Sequence, residues 1–177
     1  MSRTILAVIA IAFMAGSVVF GSRSSAQVNS NDNNIAVMDN CDPSDPGWNA
    51  TGGCALRRGT VSTAEFGALL FSPNQPGFPI GHPSWRNEPS YITTPPGRSV
   101  RVTNWGGRLH TFTEVTNFGG GFVPQLNGAL LQAPECNPTT VVQLPAGATQ
   151  ILSPIGVGTH KYQCCIHPWM RASIEVH

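Results

Sequence analysis

Charge is scarce in this chain: only 11% of its 177 residues are Asp, Glu, Lys or Arg. Ten basic residues stand against nine acidic ones, a formal net charge of +1, and no Lys/Arg cluster occurs anywhere. Without a basic patch or stripe, nucleic acid is not an expected partner. Long helices are equally unexpected, because 19 Gly and 15 Pro interrupt the sequence at short intervals. Such a composition favours many short strands joined by turns. The motif Cys-x-x-Cys-His is absent, which removes covalent c-type haem. There are no internal repeats, and the length suits one globular domain with its own core rather than two.

What is present begins with an apolar N-terminal run. Arg3 supplies a positive start, Ile5 to Phe20 is almost wholly apolar, and Ser24-Ser25-Ala26 offers small residues for cleavage. Residues 1–26 therefore read as a secretory signal cleaved near Ala26, which places the protein in the periplasm or outside the cell. Membrane attachment is expected only if this segment stays uncleaved, and the apolar run is slightly short for a full span. Loss of Arg3 and Arg23 leaves eight basic against nine acidic residues, a formal charge of −1.

Five cysteines in an exported chain permit disulfides and leave at least one thiol without an intramolecular partner. From Gln27 to about Asn34 the sequence is Asn/Ser-rich without apolar periodicity, so it reads as a flexible leader. Cys41 and Cys54 bracket a stretch of Asp, Pro, Gly and Asn that forms no regular element. Pairing them would close a loop worth about 3 kcal/mol through the unfolded chain. Residues 27–60 are thus taken as leader and disulfide-closed loop, and 61–177 as the folded domain.

Within that domain, strand-sized apolar segments recur between turn signals: Val61 to Phe71, Tyr91 to Thr93, Ser99 to Asn104, Leu109 to Asn117, Thr140 to Leu144, Thr149 to Leu152, His160 to Cys165 and Ala172 to His177. Ala64 to Leu70 could instead form a helical turn, since Glu, Ala and Leu are good helix formers. The prolines from Pro73 to Pro83 make Ser72 to Pro89 irregular, and Gly119-Gly120-Gly121 marks a further loop. The pattern is that of a β-sandwich.

The chemistry is concentrated near the C-terminus. Tyr162-Gln163-Cys164-Cys165-Ile166-His167-Pro168-Trp169-Met170 packs a thiolate, an imidazole and a thioether into seven residues. Soft sulfur with imidazole selects copper, and a trigonal His₂Cys set with a weak axial Met is the blue-copper arrangement. A second histidine must come from elsewhere, and His110, which opens a strand-like segment after Trp105-Gly106-Gly107, is best placed. A zinc site would have no use for Met170.

The spacing Cys164-x-x-His167-x-x-Met170 resembles the short ligand loop of amicyanin, and Tyr91 to His177 is similar to plastocyanin and amicyanin-type cupredoxins. The resemblance implies an all-β, antiparallel Greek-key sandwich of about eight strands that holds one type 1 copper at one end. It implies His110, Cys164, His167 and Met170 as the metal ligands. It implies a carrier of single electrons rather than an enzyme, with redox partner proteins docking near His167, Pro168 and Trp169 and no small-molecule substrate. Where the family often has Asn directly after the first histidine, this chain has Thr111, so different hydrogen bonding is expected behind Cys164. The binuclear copper centre of oxidases would need loop cysteines three residues apart, and the absence of His-x-His separates the chain from multicopper oxidases. Copper storage or delivery, and a metal-free interaction module, are the alternative functions for the same fold.

Strand alternation separates the adjacent cysteines. His160, Tyr162 and Cys164 share one face, and Lys161, Gln163 and Cys165 the other. With Tyr162 inside, Cys164 faces the core, and Cys165 points outward where Cys136 could pair with it. Pairs Cys41–Cys54 and Cys136–Cys165 would then leave Cys164 as the free thiolate. His82, His160 and His177 have no metal-like neighbours in the sequence, and Pro168 and Trp169 are expected to rim a partly exposed edge of His167.

Overall fold

The C-terminal strand shows how the sandwich is built. In β10 (Arg171–Val176), Ala172, Ile174 and Val176 are buried while the residues between them are half-buried. This period of two lays one apolar face against a core. The computed structural model describes residues 33–70 and 81–177. The expected signal segment, the leader as far as residue 32, and residues 71–80 of the Pro-rich stretch lie outside the described residues.

The other strands are β1 (Asn34–Met38), β2 (Arg86–Glu88), β3 (Tyr91–Thr94), β4 (Val100–Asn104), β5 (His110–Thr111), β6 (Thr113–Val115), β7 (Gln143–Leu144), β8 (Thr149–Leu152) and β9 (Gly158–Gln163). One four-stranded sheet has the order β2-β1-β4-β8, the other β3-β10-β9-β6, and β5 and β7 form a short separate ribbon. The eight strands of the two larger sheets make the sandwich. Its strands are not all antiparallel: β1 runs parallel to β4, and β3 parallel to β10. Ile35, Val37, Val100, Val102 and Leu152 from the first sheet share one core with Tyr162, Ala172, Ile174 and Val176 from the second. Each aliphatic side chain fully buried there contributes about 1.5–3 kcal/mol.

Several elements differ from the sequence reading: β2 lies in the stretch read as irregular, Leu109 to Asn117 is split between β5 and β6, and only Gln143–Leu144 of Thr140 to Leu144 is a strand. β1 begins at Asn34, inside the segment read as leader and loop, and Ile35 and Val37 are 1% and 0% exposed. Its few residues of alternation are too short to register as a strand in the sequence. Pairing on both sides, to β2 and β4, supplies the stability that local pattern does not show. Thr63–Leu70 is a helix, α1, which settles the two readings of that segment in favour of the helical turn expected for Ala64 to Leu70. Asp45, 18 residues upstream, accepts hydrogen bonds from the Thr63 backbone N–H and hydroxyl at 2.5 and 2.8 Å, which satisfies the start of that helix. Phe66 is its buried contact with the core. No helix among the described residues is long and apolar enough to cross a membrane.

Both expected disulfides are present, Cys41–Cys54 and Cys136–Cys165, and Cys164 is the free, buried cysteine. Cys165 does point away from the main core, but not toward solvent. It is fully buried in a second cluster with Val115, Ala133 and Cys136, against which Phe118, Phe122 and Val141 pack. Gln163 lies on the same side and exchanges hydrogen bonds with backbone groups of Gly119 and Gly120. The Gly-rich loop thus covers the outer face of β9, which strand alternation alone leaves open.

Candidate metal centre

β5 and the turn after β9 carry the donors. Asn104, at the end of β4, donates from its side-chain amide to the carbonyls of Arg108 and Leu144 and accepts the Gly106 N–H, all within 2.9 Å. These bonds fix the turn that delivers His110 to the ribbon. On the other side, the Cys164 N–H donates to the Met170 carbonyl at 3.0 Å and the Met170 N–H to the His167 carbonyl at 2.9 Å. The ligand loop is therefore closed by its own backbone. Thr111 joins the two halves: its hydroxyl accepts the Cys165 N–H at 2.7 Å, while its own N–H points at Cys164 Sγ at 3.4 Å. The N–H is a backbone group, and the hydroxyl is the part that threonine itself contributes.

His110, Cys164 and His167 offer ligand atoms that all lie within 4.8 Å of one another, the cluster of metal-binding donors found among the described residues. Cys164 Sγ lies 3.7 Å from His110 Nδ1 and 3.6 Å from His167 Nδ1. Bonds of about 2.0 Å to nitrogen and about 2.3 Å to thiolate, at angles between tetrahedral and trigonal, separate such donors by roughly 3.5–3.7 Å. The two sulfur–nitrogen separations therefore match those that a first-row ion would impose. Met170 is 1% exposed and belongs to the same core cluster.

The electrostatics suit a soft cation. Burial works against the Cys164 thiolate, but hydrogen bonds from His110 and His167 outweigh it and hold the thiol well below its ordinary pKa. Burial likewise opposes charge on His110, yet its bonds to Asp39 and Cys164 raise its pKa to about 9. Burial lowers that of His167. The thiolate is the form that binds metals, and His167 N–H stabilises it at 3.4 Å.

Two features escaped the sequence reading. Asp39, just beyond β1, places Oδ2 2.9 Å from His110 Nε2; no spacing motif links residues so far apart in the chain. Second, His167 is nearly enclosed, only 6% exposed. Trp169, Phe66 and Trp85 stand around it with ring centroids 5.5, 6.3 and 6.4 Å away. Phe66 comes from α1, an element remote from the ligand loop in sequence. Trp169 lies flat on Gly81, where any β-carbon would fall on the indole. Pro168 is buried and Trp169 half-buried, so Trp169 is the part of the expected rim that reaches solvent. His82 packs against Phe66 and Trp85, and His160 pairs with Glu114; neither joins the donor cluster.

A β-sandwich with a buried His–Cys–His cluster at one end is what fold and site define together. No protein-family model matches the chain, and no curated protein matches it. Solved structures do, and they are cupredoxins. A purple cupredoxin from Nitrosopumilus maritimus is 20% identical over 54% of this chain and 86% of its own, with a TM-score of 0.40. Two amicyanin mutants in the reduced state are each 22% identical, over 50% and 52% of this chain and 70% and 73% of theirs, with TM-scores of 0.34 and 0.36. The fold assignment stands on the two sheets and their pairings, not on these alignments.

Proposed function

We propose that this protein is an exported type 1 copper protein that carries single electrons between redox partners, with His110, Cys164, His167 and Met170 as the ligands. The observation that carries the reading is the His110–Cys164–His167 cluster, closed around one thiol left free by two disulfides. Thiolate and imidazole together select copper over harder ions, and a thioether in the axial position completes the blue-copper set. Copper, when bound, supplies a one-electron couple.

The remaining work belongs to the protein. Thr111 and His167 donate N–H groups to the thiolate, and the backbone bonds of Cys164 and Met170 hold the loop. Donors so fixed have little to rearrange between two oxidation states. The aromatic cover over His167 keeps water and small molecules from the site, and four protein donors leave no open position for substrate, which Lewis-acid catalysis needs. Partner proteins would dock near His167, Pro168 and Trp169, with half-buried Trp169 nearest the surface. Weak electron-transfer encounters need less than about 1,200 Å² of interface.

The test is to add Cu(II) to the purified protein and to Cys164→Ser and compare visible spectra. An intense charge-transfer band in the native protein, lost in the variant, is the expected result. A colourless copper-bound native protein would sink the reading.

A further inference from the structure

We propose that Asp39 is a positioning residue for the metal site: its carboxylate fixes His110 with Nδ1 toward the thiolate, and its negative charge biases the site toward the oxidised ion. This deepens the copper reading above and rests on it.

The pair is fully enclosed. His110 Nε2 and Asp39 Oδ2 are 2.9 Å apart, and both side chains are 0% exposed. The opposite ring nitrogen, Nδ1, faces Cys164 Sγ. A carboxylate on one nitrogen of a ligating histidine sets the tautomer, leaves the other lone pair for the metal and makes that lone pair more basic.

The carboxylate is itself held at every acceptor position. Oδ1 takes the N–H groups of Cys41 and Gly107 at 3.3 and 3.0 Å, and Oδ2 takes the Arg108 N–H at 2.9 Å beside the histidine. Gly106 makes room for it, since any β-carbon there would fall on Oδ2. Arg108 sends its guanidinium away, to the Thr51 carbonyl and hydroxyl and the Gly53 carbonyl, and stacks over Trp48. The charge on Asp39 is therefore offset by no guanidinium contact, and its side-chain partner is His110. A buried negative charge one ring away from the ion is weakly screened and favours Cu(II) over Cu(I). The segment from β1 through the Cys41–Cys54 loop thereby acquires a task, to bring a carboxylate to the far side of a ligand.

The test compares the native protein with Asp39→Asn, which keeps shape and removes charge, and with Glu175→Gln as a surface-charge control. Four quantities are read: the Cu(II) spectrum, the Cu(II) affinity, the reduction potential, and the ¹⁵N shifts of the His110 ring in metal-free protein. Asp39→Asn should keep its colour while Cu(II) affinity falls roughly 10–100-fold, the usual cost of losing such a partner. Each tenfold fall in the Cu(II)/Cu(I) affinity ratio raises the potential by 59 mV. The His110 nitrogens should shift, and Glu175→Gln should change none of these quantities.

A coloured Asp39→Asn with native potential and native His110 nitrogens would overturn the proposal. A native protein that binds no coloured copper would instead remove the underlying reading and the redox bias with it, while the ¹⁵N shifts still decide whether Asp39 clamps the ring. If Asp39→Asn does not fold, Gly106→Ala crowds the carboxylate without deleting it. Displaced His110 nitrogens then support the clamp, and native ones refute it.

Discussion

Cys164 and Cys165 are adjacent in the chain but sit in different cores: Cys164 Sγ faces His110 and His167, whereas Cys165 is bonded to Cys136 beneath the Gly-rich loop. The two sulfurs therefore have separate chemistry. Replacing Cys136 and Cys165 together by serine should cost about 3–4 kcal/mol, from the chain entropy of the loop the bond closes. The copper charge-transfer band should survive, because Cys164 keeps its own surroundings. Urea melts and visible spectra of the double variant check both statements, and loss of the band would show that the thiols exchange roles.

Thr111 links the strand that carries His110 to the turn that carries the thiolate. Thr111→Val keeps the shape but removes the acceptor of the Cys165 N–H. An unsatisfied buried donor costs about 1–3 kcal/mol. The expected outcome is a lower urea midpoint with an unchanged slope, and protection of the Cys165 amide from hydrogen exchange should fall.

The aromatic cover over His167 predicts slow access to the proposed copper. Trp169→Leu removes the ring 5.5 Å from the imidazole. An aromatic pair is worth about 0.5–1.5 kcal/mol, so stripping of copper by a chelator should speed up by roughly 2–10-fold. Stopped-flow loss of colour measures this, and an unchanged rate would place the barrier elsewhere.

His160, outside the metal site, gives a pH signature. Its hydrogen bond to Glu114 at 2.6 Å raises its pKa, partial burial opposes this, and the Gly156 carbonyl adds to the rise. A raised folded pKa means stability that is fully present below about pH 6.5, the unfolded value, and lost as pH rises through the folded one. The difference in melting temperature between native protein and His160→Gln should therefore be largest under mildly acidic conditions and shrink above the folded pKa. Because Glu114 is mostly exposed, the effect is small and falls further in salt. An NMR titration of His160 reads the pKa directly.

Much of this protein is set by local pattern. Thr149 to Leu152 is a strand with the bounds that alternation gives, and the strands around Tyr91, Val100 and Ala172 agree with it to within a residue or two. The proposed ligand loop is visible in the sequence because Cys164, His167 and Met170 are near neighbours, and a seven-residue loop carries its chemistry in its spacing. The split between Cys164 and Cys165 continues the alternation of β9, which ends one residue earlier at Gln163. Tertiary structure decided what depends on residues far apart in sequence. β1 exists because two neighbours pair with it, and α1 starts where it does because Asp45 reaches Thr63 from another loop. Asp39 meets His110 across 71 positions, and Phe66 and Trp85 close over His167 from elements with no sequence tie to the loop. Donor types and their spacing are local properties of a chain. The charge, burial and access that tune those donors are properties of whatever folds against them.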